Sequence, residues 1–359
     1  MNLRELFELM VQKQASDLYL RTKAFPRARI NGKIEVISDQ EISKDQMIAA
    51  SNLLLAAEPR KKKFRENFDI DFIHEETGIG RFRVNIFLQR GTPVVVARHV
   101  HTNMRTFEEL NLPGEFCKKF CEETKGLFLV CGPAGSGKST AIASMIEYIN
   151  QTLSRHIITI EDPIEFLFKD KKSIINQREL GEDVLSYPAA LRYVTQQSPD
   201  IIFIGNIRDE ETMRASIHAT ELGTFVMTTF HTINAVQTVV RMVNFFPPHL
   251  HDEVRMQLSM ILKGTISLRL LPRKDGRGRI PAFETMVVTP TISRLIREGK
   301  IQEIQKYIDE GDLVGMQSFK RSLVKLVKGG LVDVDEARGL ADSKDEFDLE
   351  MKGIKSRFE

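Results

Sequence analysis

The sequence predicts an α/β protein, a parallel-sheet core preceded by a smaller α+β domain. Three observations carry this. From about residue 126, continuous apolar runs alternate with helical patterns. A glycine-rich phosphate-binding loop, GPAGSGKST, separates the first run from its helix. Before residue 100 the apolar residues instead recur at every second position, the period of half-buried strands. A length of 359 residues fits two domains.

Residues 1–100 read as the α+β domain. Leu3, Phe7, Leu9 and Met10 give a first helix its apolar face, and DLYL is a short strand. PRARINGKIEVI is a hairpin, with Asn31-Gly32 suited to a type I′ turn. IAASNLLLAAEPRKKKF reads as one helix stopping near Pro59, and FDIDFI, GRFRVNIFLQ and TPVVVARHV as three further strands. Residues 101–116 are polar, turn at Pro113-Gly114 and form a linker.

Residues 117–290 form the core. GLFLV, HIITI, IIFIG and TFVMTTF are strands whose unbroken apolar character implies burial on both faces of a parallel sheet. Ile142, Met145, Ile146 and Ile149 recur at helical spacing, and SYPAALRYVTQQ is a helix with Ser186 as N-cap. A further helix runs from Asp209 to Leu222 and stops at Gly223; another, capped by Thr232, carries Val236, Val239, Val240 and Val243. Residues 291–359 are helical and charged.

Composition excludes several classes. A net charge of +2, with no basic-aromatic strip, argues against a nucleic-acid motor. The apolar runs are far short of the ~20 residues of a membrane span, and the charged start MNLRELFELMVQK is no signal peptide. Cys117, Cys121 and Cys131, without a CxxC pair, favour neither disulfides nor a structural zinc site. The expectation is a soluble cytoplasmic chain.

Four motifs carry chemistry. Gly132, Pro133, Ala134, Gly135, Ser136, Gly137, Lys138 and Ser139 match G-x-x-x-x-G-K-[ST], and Thr140 completes the run. There the glycines let backbone N–H groups surround phosphate oxygens, Lys138 reaches the β- and γ-phosphates, and Ser139 offers its hydroxyl to magnesium. Thr159-Ile-Glu-Asp-Pro ends a strand with two acids where parallel sheets bind ligands, so Glu161 or Asp162 can orient water or hold magnesium; a capped strand end is the plainer alternative. In GRFRVNIFLQR, Phe82, Val84, Ile86 and Leu88 share one strand face, and Arg81 and Arg83 share the other, about 7 Å apart. These arginines reach an anion or simply face solvent. His231 follows a strand at a helix start, where it senses a phosphate edge or serves structure.

These residues together resemble the PilT/PilU retraction ATPases of bacterial type IV pili, within the secretion-ATPase superfamily. GPAGSGKST is similar to the family's Walker A motif, TIEDPIEF to its Asp box, DIIFIGNIRDEET to its Walker B region, TTFHTINA to its His box, and GIGRFRVNIFLQR to its arginine-bearing strand. VNFFPPHLHDEVRMQLS, GMQSFKRSL and ADSKDEFDLEMK look more like PilU than PilT. The resemblance implies a PAS-like N-terminal domain, a RecA-like ATPase core, a helical C-terminal region and a homo-hexameric ring using ATP and Mg2+. It implies that Arg81, Arg83 and Arg98 neutralise transition-state charge. It also implies an inner-membrane pilus platform protein and a PilT-like paralogue ring as partners, placing the chain peripherally at the inner membrane.

Three departures stand out. Where the family's Walker B segment ends in glycine-glutamate, this chain has Gly205-Asn206. The family's earlier His-box histidine is replaced after ELG by Thr224, and Thr291-Ile-Ser-Arg keeps only part of a motif that begins Ala-Ile-Arg. Asparagine can hold the attacking water but cannot be an anionic base, so hydrolysis is expected to be slow, with Glu161 the nearest substitute. Two readings follow: a weakly hydrolysing retraction motor, and a non-hydrolysing, ATP-gated accessory ring acting through a catalytic paralogue. A pilus-assembly or type II secretion ATPase fits less well, since those enzymes carry a larger N-terminal region and a four-cysteine zinc insertion.

Overall fold

A computed structural model describes residues 2–30, 32–100 and 104–353. It divides into two compact units, Met1–Asn103 with Glu165–Leu167 and Met104–Ile164 with Phe168–Glu359.

In the first unit, α1 (Leu3–Gln12), α2 (Lys44–Leu54) and α3 (Glu58–Asn67) accompany an antiparallel sheet. Its strands are β1 (Asp17–Arg21), β2 (Arg27–Ile30), β3 (Lys33–Val36), β4 (Asp69–Glu76), β5 (Gly80–Gln89) and β6 (Thr92–Val100), in the order β3-β2-β1-β6-β5-β4. Phe7 stacks on Phe82 with ring centroids 4.2 Å apart, in a core that includes Leu18, Met47, Val84 and Ile86. The β2–β3 hairpin closes with Ile30 opposite Lys33, as the Asn-Gly signal predicts; Asn31 itself lies outside the described residues.

One expectation for this unit needs correction. The stretch read as one helix ending near Pro59 is two helices. Pro59 sits in the first turn of α3, where its missing N–H has no intrahelical acceptor to lose, so it starts a helix rather than stopping one. Leu88 shares the strand face of Phe82, Val84 and Ile86, as predicted, but near the end of β5 it is 38% exposed.

The second unit is built on a mostly parallel sheet, order β13-β12-β7-β11-β10-β8-β9. Its elements in chain order are α4 (Gly114–Cys121), β7 (Gly126–Cys131), α5 (Lys138–Thr152), β8 (His156–Glu161), β9 (Ile174–Glu179), α6 (Tyr187–Val194), β10 (Ile201–Ile204), α7 (Glu210–Glu221), β11 (Phe225–Phe230), α8 (Ala235–Asn244), α9 (His251–Ile261), β12 (Leu262–Pro272) and β13 (Arg279–Val287). Helices α10 (Pro290–Arg297), α11 (Ile304–Glu310), α12 (Phe319–Lys328), α13 (Val334–Leu340) and α14 (Lys344–Met351) follow. Strands β7, β8, β10 and β11 are buried almost throughout, as unbroken apolar runs require. Ile142, Met145, Ile146 and Ile149 of α5 are buried on one sheet face, while α7, α8 and α9 supply the core on the other.

The sheet is wider than predicted. β9 and β12 extend it in parallel, and β13 closes one edge antiparallel to β12. Pro281 inside β13 is compatible with a strand because β13 is an edge strand of the sheet. Helices α12, α13 and α14 pack on the far end of β12 and β13 around Phe319, Leu323 and Phe347. The span assigned to a linker also carries structure: Phe107 is buried beside Tyr148, and α4 starts at Gly114, with Pro113 as its N-cap.

Candidate ATPase site

The site is assembled at the C-terminal ends of four adjacent strands. Parallel registry sets Cys131 beside Phe230, Thr228 beside Ile204, and Ile204 beside Ile160. The residues that leave these strands are therefore Gly132, His231, Gly205-Asn206 and Glu161, in the order of the sheet. This is the edge where α/β sheets bind ligands.

Gly132 begins the phosphate loop at φ +147°, and a Cβ there would meet Ser136 Oγ at 2.3 Å and Leu268 O at 2.6 Å. Only glycine fits. Gly137, at φ +93°, turns the chain into α5, whose N-terminus carries Lys138 and Ser139. Pro133, Ala134 and Gly135 are exposed, whereas Ser136 and Lys138 are buried and Ser139 and Thr140 half-buried. Lys138 Nζ donates to the carbonyls of Gly132 and Pro133, each at 2.9 Å, and lies 3.4 Å from His231 Nδ1.

The His231 ring, though still exposed, is shifted down in pKa. Burial lowers its pKa first, and the nearby charges of Lys138, Arg208 and Arg241 lower it further. Facing an ammonium, Nδ1 accepts, which assigns the ring proton to Nε2. The helix after His231 starts later than predicted. Its N-cap is Asn234, whose side chain accepts from the Gln237 N–H, while the Thr232 hydroxyl pairs with that of Thr238 at 2.6 Å.

Glu161 is buried, 7% exposed. Its Oε1 accepts from the Thr159 hydroxyl at 2.6 Å and from Gln177 Nε2 at 3.3 Å. Thr159, Glu161 and Gln177 share a face because Thr159 is registered opposite Gln177. Donors on both sides suit an ionised carboxylate.

Asn206 is also 7% exposed. The preceding Gly205 is tied to both neighbouring strands: its N–H donates to Ile160 O at 2.8 Å, and its carbonyl accepts from the Thr229 hydroxyl at 2.5 Å. A Cβ on Gly205 would approach the Glu161 Cα at 3.3 Å, so the two chain segments are closely apposed at this point. Asn206 thus leaves β10 directly beside the end of β8.

The three arginines belong to the first unit. Arg83 and Arg98 are cross-strand partners on β5 and β6, and each holds a carboxylate. Arg83 Nε donates to Asp71 Oδ2 at 2.8 Å, and Arg98 Nε to Asp17 Oδ1 at 2.9 Å. The two acids offset what would otherwise be a like-charge pair. Arg81 lies opposite Val100, further along the same strands.

Comparison with known proteins decides the family. Residues 2–275 match the family model described as type II/IV secretion system protein. The chain belongs to that family. Within it, the chain is one of the PilT/PilU retraction ATPases. It is 37% identical to the type IV pilus ATPase PilU of Pseudomonas aeruginosa, over 98% of this chain and 92% of the relative. It is 39% identical to the pilus retraction ATPase PilT of the same organism, over 97% of this chain and all of the relative. A crystal structure of the pilus retraction motor PilT with bound ADP superposes with a TM-score of 0.89 at 41% identity, covering 96% of this chain and 98% of the other. The RecA-like core with an N-terminal antiparallel-sheet domain is thus the fold of a PilT/PilU ATPase.

Against this family, the three sequence departures fall in different places. Asn206 is at the site. Thr224 is not: it precedes β11, at the opposite end of the strand from His231, about 20 Å away along an extended chain. Its carbonyl accepts from the Gly126 N–H. The Thr291-Ile-Ser-Arg segment lies in α10, where Ile292, Leu295 and Ile296 are buried and Ser293 Oγ donates to Ser259 O at 2.6 Å. That helix is packed onto α9.

Sequence reasoning missed several residues here. Tyr187 is buried with its hydroxyl close to Gly205, where a Cβ would meet it at 3.2 Å, and burial is the chief cause that pushes its pKa up. Arg208 Nη1 lies 3.9 Å from Asp162 Oδ2. Beside the phosphate loop a pocket of about 260 Å³ is lined by Ser136, Gly137, Thr140, Leu112, Leu270 and Pro281. Leu112 belongs to the presumed linker, and a signal for order existed there: Thr106 and Glu109 cap each other's backbone N–H groups. Among the described residues no helix is long and apolar enough to cross a membrane. The three cysteines are buried and unpaired with one another, and burial pushes the Cys131 thiol up to about 11.

Proposed function

We propose that this chain is an ATP-driven motor subunit of a type IV pilus machine, coupling slow ATP hydrolysis to pilus retraction. The observation that carries the reading is the row of Lys138, His231, Asn206 and Glu161 along the ends of adjacent strands. The nucleotide's phosphates would sit in the loop of residues 132–140, with Lys138 exchanging two backbone carbonyls for β- and γ-oxygens. The 260 Å³ pocket continues from Thr140 and suits the nucleoside. A P-loop magnesium ion keeps most of its shell as water and phosphate oxygen, so Ser139 Oγ would suffice as its direct protein ligand, with the Glu161 carboxylate reaching it only through a bound water. When bound, the ion would neutralise phosphate charge. Neutral His231 sets the position of the Lys138 ammonium. Asn206 can hold the attacking water by hydrogen bonds but cannot take its proton, so Glu161 acts as the base, directly or through a bridging water.

Hexameric assembly, a PilT-like partner ring and the membrane platform protein are part of this proposal, supported by the relatives' names as pilus ATPases. So are Arg81, Arg83 and Arg98 as charge-neutralising groups. Asn206 favours one second reading, an ATP-gated accessory ring without turnover of its own.

The test is magnesium-ATP turnover of the purified ring, with Lys138→Ala as the blank and Glu161→Gln alongside. The proposal expects wild-type turnover above the blank and at least a tenfold loss in Glu161→Gln. Wild-type turnover equal to the blank, with ATP still bound, establishes the accessory ring instead. Undiminished turnover in Glu161→Gln removes Glu161 as base.

A further inference from the structure

The loop that carries His231 is held from behind by two buried charged residues of the β12–β13 hairpin. Glu284 lies opposite Ser267, and Arg269 is two residues on from Ser267, so both side chains leave the same face. Glu284 is 2% exposed, and its Oε1 accepts from the Ala235 N–H at 2.8 Å, at the first residue of α8. Arg269 is 7% exposed, and its Nη2 donates to the Ile233 carbonyl at 3.3 Å. The same guanidinium also grips the C-terminal region. Its Nη2 reaches Asp342 Oδ1 at 2.7 Å, its Nη1 reaches the Leu340 carbonyl at 2.7 Å, and its plane lies 3.9 Å from the Phe319 ring.

A cavity opens beside these contacts, with Glu284, Phe319 and Asp342 in its lining. Asn234 and Val236 of the His231 loop face Gln305 of α11, Lys320 of α12 and Glu346 of α14 around a space of about 730 Å³, with Glu284 in its wall. Close-packed interiors transmit displacement through many contacts at once. Beside the cavity, a planar guanidinium with several fixed donors is a discrete link between the His231 loop and residues 340–342.

We propose that Arg269 and Glu284 are positioning residues: they set the His231 loop against the phosphate loop and make that setting depend on the docking of residues 340–342. Release of Asp342 frees one side of the guanidinium, loosens its hold on the Ile233 carbonyl, and lets His231 move relative to Lys138. The C-terminal helices thereby gate the nucleotide site, and nucleotide at Lys138 is felt by those helices in return, since such coupling is reciprocal. This inference rests on the reading of His231 as part of the hydrolytic site.

The experiment combines a mutant cycle with hydrogen exchange on the full chain. Asp342→Asn and Arg269→Lys are measured for magnesium-ATP turnover, each alone and in a His231→Ala background, and amide exchange is followed over residues 231–238. Asp342 is half exposed, so its variant tests the link even if Arg269→Lys destabilises the fold. The expected result is a three- to thirtyfold fall in kcat for either variant with KM within twofold. In the His231→Ala background the same changes lower kcat less than twofold, because residues acting as a unit are non-additive. Exchange over residues 231–238 quickens in both variants. An equal loss of kcat with and without His231, or unchanged exchange over that segment, overturns the proposal. If His231→Ala alone leaves turnover at the wild-type value, it is the hydrolytic reading of His231 that fails, and the exchange result then decides the positioning claim by itself.

Discussion

At the scale of single residues, the site depends on which groups carry charge. Lys138 and His231 are 3.4 Å apart, and both cannot be cations without repulsion, so the imidazole yields. His231 should therefore titrate below the ordinary histidine value of about 6.5, for burial first and Lys138 second. The pH titration of its ring signals by NMR checks this. Lys138→Ala should move the midpoint upward by removing the nearest positive charge, and a wild-type midpoint at or above 6.5 would contradict the placement. Glu161 illustrates the opposite case: a buried carboxylate is tolerable because Thr159 and Gln177 both donate to it.

At the scale of elements, the β12–β13 hairpin joins the site to the C-terminal helices. Burial raises the Glu284 carboxyl from about 4.5 to about 7, against the lowering effect of the Ala235 N–H, Arg269 and Gln305. The charged groups around it are Arg269 and Asp342, with Glu303, Lys306, Asp309, Lys320 and Glu346 also lining the cavity. The folded chain holds this proton more tightly than the unfolded chain does. The stability contributed is full below about pH 4.5 and is lost as pH rises to about 7, amounting to roughly 3 kcal/mol. Glu284→Gln keeps an acceptor for Ala235 but cannot titrate. Denaturant unfolding across pH 5 to 8 should show that decline in the wild type and a flatter profile in the variant; parallel profiles would contradict the account.

This hairpin also marks where sequence reading stops. β7, β8, β10 and β11 were legible because central parallel strands are apolar on both faces, and α5 because its apolar positions follow the helical period. β9 (IINQRE), β12 and β13 were not, since edge and near-edge strands admit Lys263, Arg269 and Pro281 within the run. The candidate site divides the same way. Residues 132–140, Glu161, Asn206 and His231 sit in contiguous motifs with the right strand context. Arg269 and Glu284 act through contacts 36 to 73 residues distant in sequence, for which one chain carries no local signal.

At the scale of the whole molecule, the chain has the fold of a PilT/PilU ATPase, and of its three departures from the family motifs only Asn206 lies at the candidate site. Phosphoryl transfer draws most of its catalysis from positioning and charge neutralisation, while general-base help is commonly worth about 10²–10⁴-fold. The most direct measurement is therefore the magnesium-ATP turnover of Asn206→Glu against the wild-type protein, with Lys138→Ala as the blank. A slow wild-type rate that rises at least tenfold in Asn206→Glu, at unchanged ATP affinity, is the predicted result. A rate in Asn206→Glu no higher than wild type, with ATP still bound, would contradict the claim that this asparagine sets the pace of the motor.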